Sequence, residues 1–167
     1  SGLMMLQRNV AIAPDGSAIV YRTVVGEQVQ LVRKPRDEVT AIPVAGTEGA
    51  VSPFFSPDGA WLGFLAEGSL RKVPAAGGAP LTLADSARMD NPGGAWGEDG
   101  SVYFVGVPYD LRRVDGDGGE VQVVASLVEL RRGIVTPWPL PHGRGVLFSA
   151  STPDAAEIDA YVYDVRR

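Results

Sequence analysis

Residues 55–64 read Phe55-Ser56-Pro57-Asp58-Gly59-Ala60-Trp61-Leu62-Gly63-Phe64, an apolar approach, a Pro-Asp-Gly turn and an alternating run that closes on an aromatic. Asp-Gly is a strong hairpin signal: glycine takes a positive φ without steric cost, and the carboxylate accepts from backbone N–H groups of the turn. The pattern recurs at Ile12-Ala13-Pro14-Asp15-Gly16 ahead of Tyr21 and at Trp96-Gly97-Glu98-Asp99-Gly100 ahead of Phe104. A degenerate copy, Pro139-Leu140-Pro141-His142-Gly143, runs ahead of Phe148. The turn glycines 16, 59, 100 and 143 are 43, 41 and 43 residues apart, the period of a four-stranded propeller blade. The sequence therefore predicts an all-β fold, a β-propeller of four blades of antiparallel strands. The approximate blades are 1–45, 46–88, 89–130 and 131–167, forming a single propeller domain or half of one. Asp15, Gly16, Asp58, Gly59, Asp99, Gly100 and Gly143 read as structural turn residues.

Outward from that turn, blade 2 places strands over 52–56, 61–66, 70–73 and 80–84, with Gly77-Gly78 in the last hairpin. Blade 3 repeats it: Leu70-Arg71-Lys72-Val73 matches Leu111-Arg112-Arg113-Val114, and Gly77-Gly78 matches Gly118-Gly119. Blade 1 reads as strands over 6–13, 18–23, 29–33 and 40–44. Blade 4 reads as 134–140, 145–150 and 158–166, and its fourth strand is missing. Closed propellers avoid exposed edges by sharing one blade between both termini. Leu3 to Leu6 could supply that strand, yet its connection to Gly16 is short. Two arrangements follow: the chain is part of a longer propeller, or two copies pair about a two-fold axis to complete eight blades.

Composition agrees with a folded β domain. Of 167 residues, 45% are hydrophobic, and the 21 glycines and 13 prolines fall between the apolar runs as turn residues. A net charge of −5 and a pI near 4.8 argue against a nucleic-acid partner, which needs a basic surface to neutralise phosphates. The pairs Arg112-Arg113, Arg131-Arg132 and Arg166-Arg167 are scattered and read as solvated. With no cysteine there is neither a disulfide framework nor a thiolate metal site. No stretch approaches the roughly 20 apolar residues that span a bilayer, so no membrane insertion is expected.

The sequence offers little chemistry. His142 is alone and sits in a turn, and no Gly-x-Ser-x-Gly elbow accompanies it. Asp115-Gly116-Asp117-Gly118-Gly119-Glu120 lacks the third ligand and terminal glutamate of a calcium loop, and its blade 2 counterpart has no carboxylate. It reads as a plain hairpin turn. Tyr21, Phe64, Phe104 and Phe148 recur at one place in each repeat and read as packing between blades. Trp61 and Trp138 depart from the repeat, and Tyr109 lies in an extended insert; these three are the candidates for interaction. No catalytic, metal or cofactor-binding residue is identified.

At the Ser56-Pro57-Asp58-Gly59 turn, Phe64 and Gly77-Gly78, the chain resembles the TolB-type, WD40-like bacterial propeller repeat. Ala13-Pro14-Asp15-Gly16 and Gly97-Glu98-Asp99-Gly100 are near matches; Pro141-His142-Gly143 departs. The resemblance implies six or more blades, a periplasmic or extracytoplasmic location and a propeller that carries out no chemistry itself. The expected function is thus a non-catalytic interaction or scaffold module, not an enzyme, that binds a protein or peptide partner and self-associates as a homodimer or within a larger propeller. The alternatives are the accessory propeller of a hydrolase and a metal-dependent propeller enzyme. A third, purely structural reading has edges that mediate self-assembly. Inner strands rich in Ala, Ile, Phe, Trp and Pro disfavour the metal enzyme, which needs inward Asp, Glu, Asn or His from several blades.

Overall fold

The computed structural model describes residues 9–89, 93–154 and 157–165. Leu3 to Leu6, the candidate closing strand, lies outside them. Four antiparallel meanders follow one another along the chain. The first holds β1 (Val10–Ile12), β2 (Ala18–Val25), β3 (Gln28–Pro35) and β4 (Ile42–Pro43). The second holds β5 (Val51–Phe55), β6 (Trp61–Ala66), β7 (Ser69–Pro74) and β8 (Leu81–Ala84). The third holds β9 (Gly94–Trp96), β10 (Ser101–Val105), β11 (Leu111–Asp115) and β12 (Gln122–Ala125). The fourth has three strands, β13 (Gly133–Pro139), β14 (Gly145–Ser151) and β15 (Ile158–Asp164).

Each sheet buries both faces only where it has a neighbour on both sides. Val20 and Leu31 of the first sheet pack on Leu62, Phe64 and Val73 of the second. The second then packs Phe54, Leu65 and Leu70 on Val102, Phe104 and Val114. Tyr103, Val105 and Leu111 meet Ile134, Val146 and Phe148 of the fourth. The alternation of strand side chains makes this possible, since β6 offers Leu62 and Phe64 to one neighbour and Leu65 to the other. Inner strands follow the same order: β1 lies on β5, β5 on β9 and β9 on β13, and among the described residues no packing of similar extent joins β13 back to β1. The four sheets form an open arc.

At the inner edge the second and third sheets meet closely around Phe54. A Cβ on Gly63 would lie 2.2 Å from that ring, and one on Gly94 would lie 2.5 Å from it. Glycine at both positions lets the aromatic fill the junction.

The turn carboxylates cap their own hairpins. Asp15 accepts from the N–H of Ser17 at 2.9 Å, Asp58 from that of Ala60 at 3.0 Å and Asp99 from that of Ser101 at 3.1 Å. Gly16, Gly59 and Gly100 follow with φ near +70 to +82°. The fourth turn is built differently. Gly143 was expected to carry the positive φ alone, but His142 (φ 62°) and Gly143 (φ 61°) share it. Lacking a carboxylate of its own, the turn borrows one: the His142 backbone N–H donates to Glu98 of the neighbouring turn at 2.6 Å.

Candidate functional site

In a meander, the first and third turns of every sheet lie at one end of the strands. At that end, between the second and third sheets, opens a cleft of about 450 Å³. Trp61 starts β6 just after the Asp58-Gly59 turn, and Trp96 ends β9 just before the Asp99-Gly100 turn. The two indoles wall the cleft with Lys72 of β7 between them. Lys72 is only 5% exposed, and its Nζ lies 4.3 Å from the Trp61 ring centre and 6.0 Å from that of Trp96. A carboxylate from the third sheet, Asp117, pairs with it at 3.3 Å. An ammonium withdrawn from water needs this company; an aromatic face supplies about 1–2 kcal/mol in such a setting.

The rim is acidic. Asp58, Glu98, Asp115 and Asp117 surround the one lysine. Hydrogen bonds from the Ser56 hydroxyl and the Ala60 N–H hold the Asp58 carboxyl below its usual 3.8, so it is ionised at neutral pH. Nearby, the Tyr103 hydroxyl donates to Asp99 at 3.0 Å. Burial first, and then the Asp99 charge, push that hydroxyl up to about 12. Asp115 accepts from the Asp117 N–H at 2.8 Å, closing the 115–118 turn. Among the described residues no group of three His, Asp or Glu side chains is placed to hold a metal ion.

The three interaction candidates from sequence lie in three places. Trp61 stands in the cleft. Tyr109 sits at the opposite end of the strands, where the Arg88 guanidinium stacks 3.7 Å from its ring and donates to its hydroxyl. Its carbonyl accepts from Ile134 N–H, so Tyr109 ties the third sheet to the fourth. Trp138 is 41% exposed, opposite Leu147 in the cross-strand register of the fourth sheet. Sequence reading missed Lys72 and Trp96. The match of Lys72 to Arg113 shows that a cation recurs there, but its burial arises only when two sheets meet.

No family model matches the chain, and no curated protein matches it. Among solved structures it is similar to TolB from Acinetobacter baumannii, at 14% identity and a TM-score of 0.64, over 94% of this chain and 43% of that one. It is similar to an oligogalacturonate lyase from Vibrio parahaemolyticus at 14% identity and a TM-score of 0.65, over 96% of this chain and 51% of that one. Dipeptidyl peptidase 4 from Porphyromonas gingivalis aligns at 10% identity and a TM-score of 0.60, over 96% of this chain and 31% of that one. The fold is a TolB-like β-propeller, and the chain spans about half or less of the length of these proteins.

The comparisons correct one expectation. The chain was expected not to be an enzyme, on the ground that propellers of this kind carry out no chemistry. Proteins of the same fold include a lyase and a peptidase, so the fold gives no ground for that exclusion. Among the described residues, no helix is long and apolar enough to cross a membrane.

Proposed function

We propose that the chain is a propeller recognition module whose cleft between the second and third sheets takes a basic peptide segment of a protein partner. The observation that carries this is the cleft itself, with two tryptophan walls and four carboxylates at its rim around one buried lysine. Arginine and lysine side chains stack on indole and pair with carboxylates at the same time. Lys72 occupies the inner indole faces and pairs with Asp117, so a partner's cation meets the outer part of the cleft and the second oxygens of Asp58, Asp115 and Glu98, whose hydrogen bonds within the chain fall on the first. A protein partner and an extracytoplasmic setting fit the TolB-like fold. Self-association through the end sheets belongs to the same reading.

The test is a tryptophan-fluorescence titration with three short peptides, one arginine-rich, one neutral and one glutamate-rich. The arginine-rich peptide should bind, more weakly as salt rises, and Trp61→Ala should weaken it at least about tenfold, the size of a lost aromatic contact of roughly 1.4 kcal/mol. Equal response to all three peptides, or binding that Trp61→Ala leaves unchanged, contradicts the reading.

A further inference from the structure

We infer that Lys72 is the specificity-determining residue of the cleft: its ammonium already fills the inner cation place that the two indoles and Asp117 build, so a partner's cation competes with it. This rests on the reading of the cleft as a site for basic side chains and names what limits it.

The register shows where Lys72 comes from. The residue just ahead of the recurring aromatic opposes a cation in three sheets, as Val20 opposes Arg33, Gly63 opposes Lys72 and Tyr103 opposes Arg113. Opposed side chains share a face, and here it is the face turned to the following sheet, since Val20 packs on the second sheet and Tyr103 on the fourth. Arg113 donates to Gln122 of its own sheet at 3.0 Å. Lys72, opposite a glycine, crosses instead to Asp117 of the third sheet.

The place it enters is built by both sheets. A Cβ on Gly59 would touch Pro14 of the first turn at 3.4 Å, and one on Gly143 would touch Asp99 of the third turn at 2.9 Å. One on Gly100 would meet no described residue within 4 Å, so the second and third turns stand apart. The 115–118 turn holds Trp96 in that gap: a Cβ on Gly116 would lie 2.5 Å from its ring, and glycine lets indole and turn lie together.

The forces on Lys72 are unequal. Its side chain is 6% exposed and that of Asp117 is 97% exposed, so the ion pair is screened and worth little. The indole faces and the burial of its stem hold the lysine. An arriving arginine or lysine finds those faces taken and a like charge behind them, which weakens its binding.

The test repeats the tryptophan-fluorescence titration with the arginine-rich peptide on the wild type, on Lys72→Met and on Lys34→Met. Methionine keeps an unbranched stem against the indoles and removes the charge; Lys34 lies outside the cleft, so its loss controls for net charge alone. Circular dichroism confirms that each variant is folded, and Lys72→Gln replaces Lys72→Met should that one unfold. Lys72→Met should bind at least about tenfold tighter than the wild type, the scale of removing one like charge from a partly screened site, and Lys34→Met should stay within about twofold. Binding by Lys72→Met that is equal to or weaker than wild type, or an equal gain in Lys34→Met, overturns the proposal and leaves the cleft reading standing. A wild type that binds no peptide beside a Lys72→Met that does supports Lys72 as the occupant and contradicts recognition by the native cleft. Binding by neither overturns both.

Discussion

The first and second sheets share an Asp-Gly turn and an aromatic at the same repeat position, yet Phe64 is fully buried and Tyr21 is partly exposed. Both follow an aspartate that caps its hairpin, and both sit in the second strand of a four-stranded meander. The difference is the neighbour: Phe64 has the first sheet against it, and among the described residues Tyr21 has no sheet on its side. In a repeat protein the sequence of one unit sets its shape, while the adjoining unit sets its stability.

The largest effect expected of that contrast is Phe64→Ala. It should cost about 3–5 kcal/mol in urea unfolding, the range for emptying a packed aromatic site, whereas Tyr21→Ala, measured at dilution where copies do not meet, should cost about 1 kcal/mol or less. Equal losses would break the comparison. A second pair sharpens it at the position one residue ahead of the aromatic. Gly63→Ala pushes a Cβ to 2.2 Å from the Phe54 ring and should cost about 1–3 kcal/mol by overpacking. Leu147→Ala, at the same repeat position on a free face, should cost less than Gly63→Ala in the same dilute measurement.

Two smaller effects are read through pH. The Tyr103 hydroxyl, raised to about 12 by burial and by Asp99, stays protonated in the folded chain when the unfolded chain has lost its proton. The folded state then binds more protons, so its contribution is complete below about 10 and is lost as pH rises from about 10 to 12. Tyr103→Phe should flatten the unfolding curve in that window, and a wild-type curve already flat there would contradict the packing given to Tyr103. The smallest effect lies at the acid end. Hydrogen bonds to Asp58, first from Ser56, and to Asp15, from Ser17, hold both carboxyls below 3.8. Their contribution is present above that value and lost as pH falls through the lowered pKa. Asp58→Asn should reduce the acid loss, while His142→Asn, in the turn without a carboxylate, should leave it unchanged.

The legibility of the fold follows from the same contrast. Turn chemistry is local, so three Asp-Gly pairs placed three hairpins, the spacing added a fourth at His142-Gly143, and the strand expected over 61–66 is β6 as observed. The three strands described in the last sheet, β13, β14 and β15, overlap the runs expected over 134–140, 145–150 and 158–166. Less legible was the first sheet, where β1 is only Val10–Ile12 against an expectation of 6–13, part of which falls outside the described residues. At the cleft, Trp61 stood out because it breaks the repeat. Lys72 obeys the repeat, and its burial depends on Trp96 and Asp117 arriving from a different sheet. No pattern within one repeat can record a contact between two.

The most direct test of the claim that the adjoining sheet sets burial uses the absence of cysteine from the chain. Ile19→Cys and Leu62→Cys, which stand at one repeat position two residues ahead of the aromatic, are treated in dilute solution with a water-soluble maleimide. Ile19 is 37% exposed and Leu62 fully buried, so the account predicts fast labelling of Ile19→Cys and labelling of Leu62→Cys only in denaturant. Equal labelling rates of the two folded variants would contradict the account.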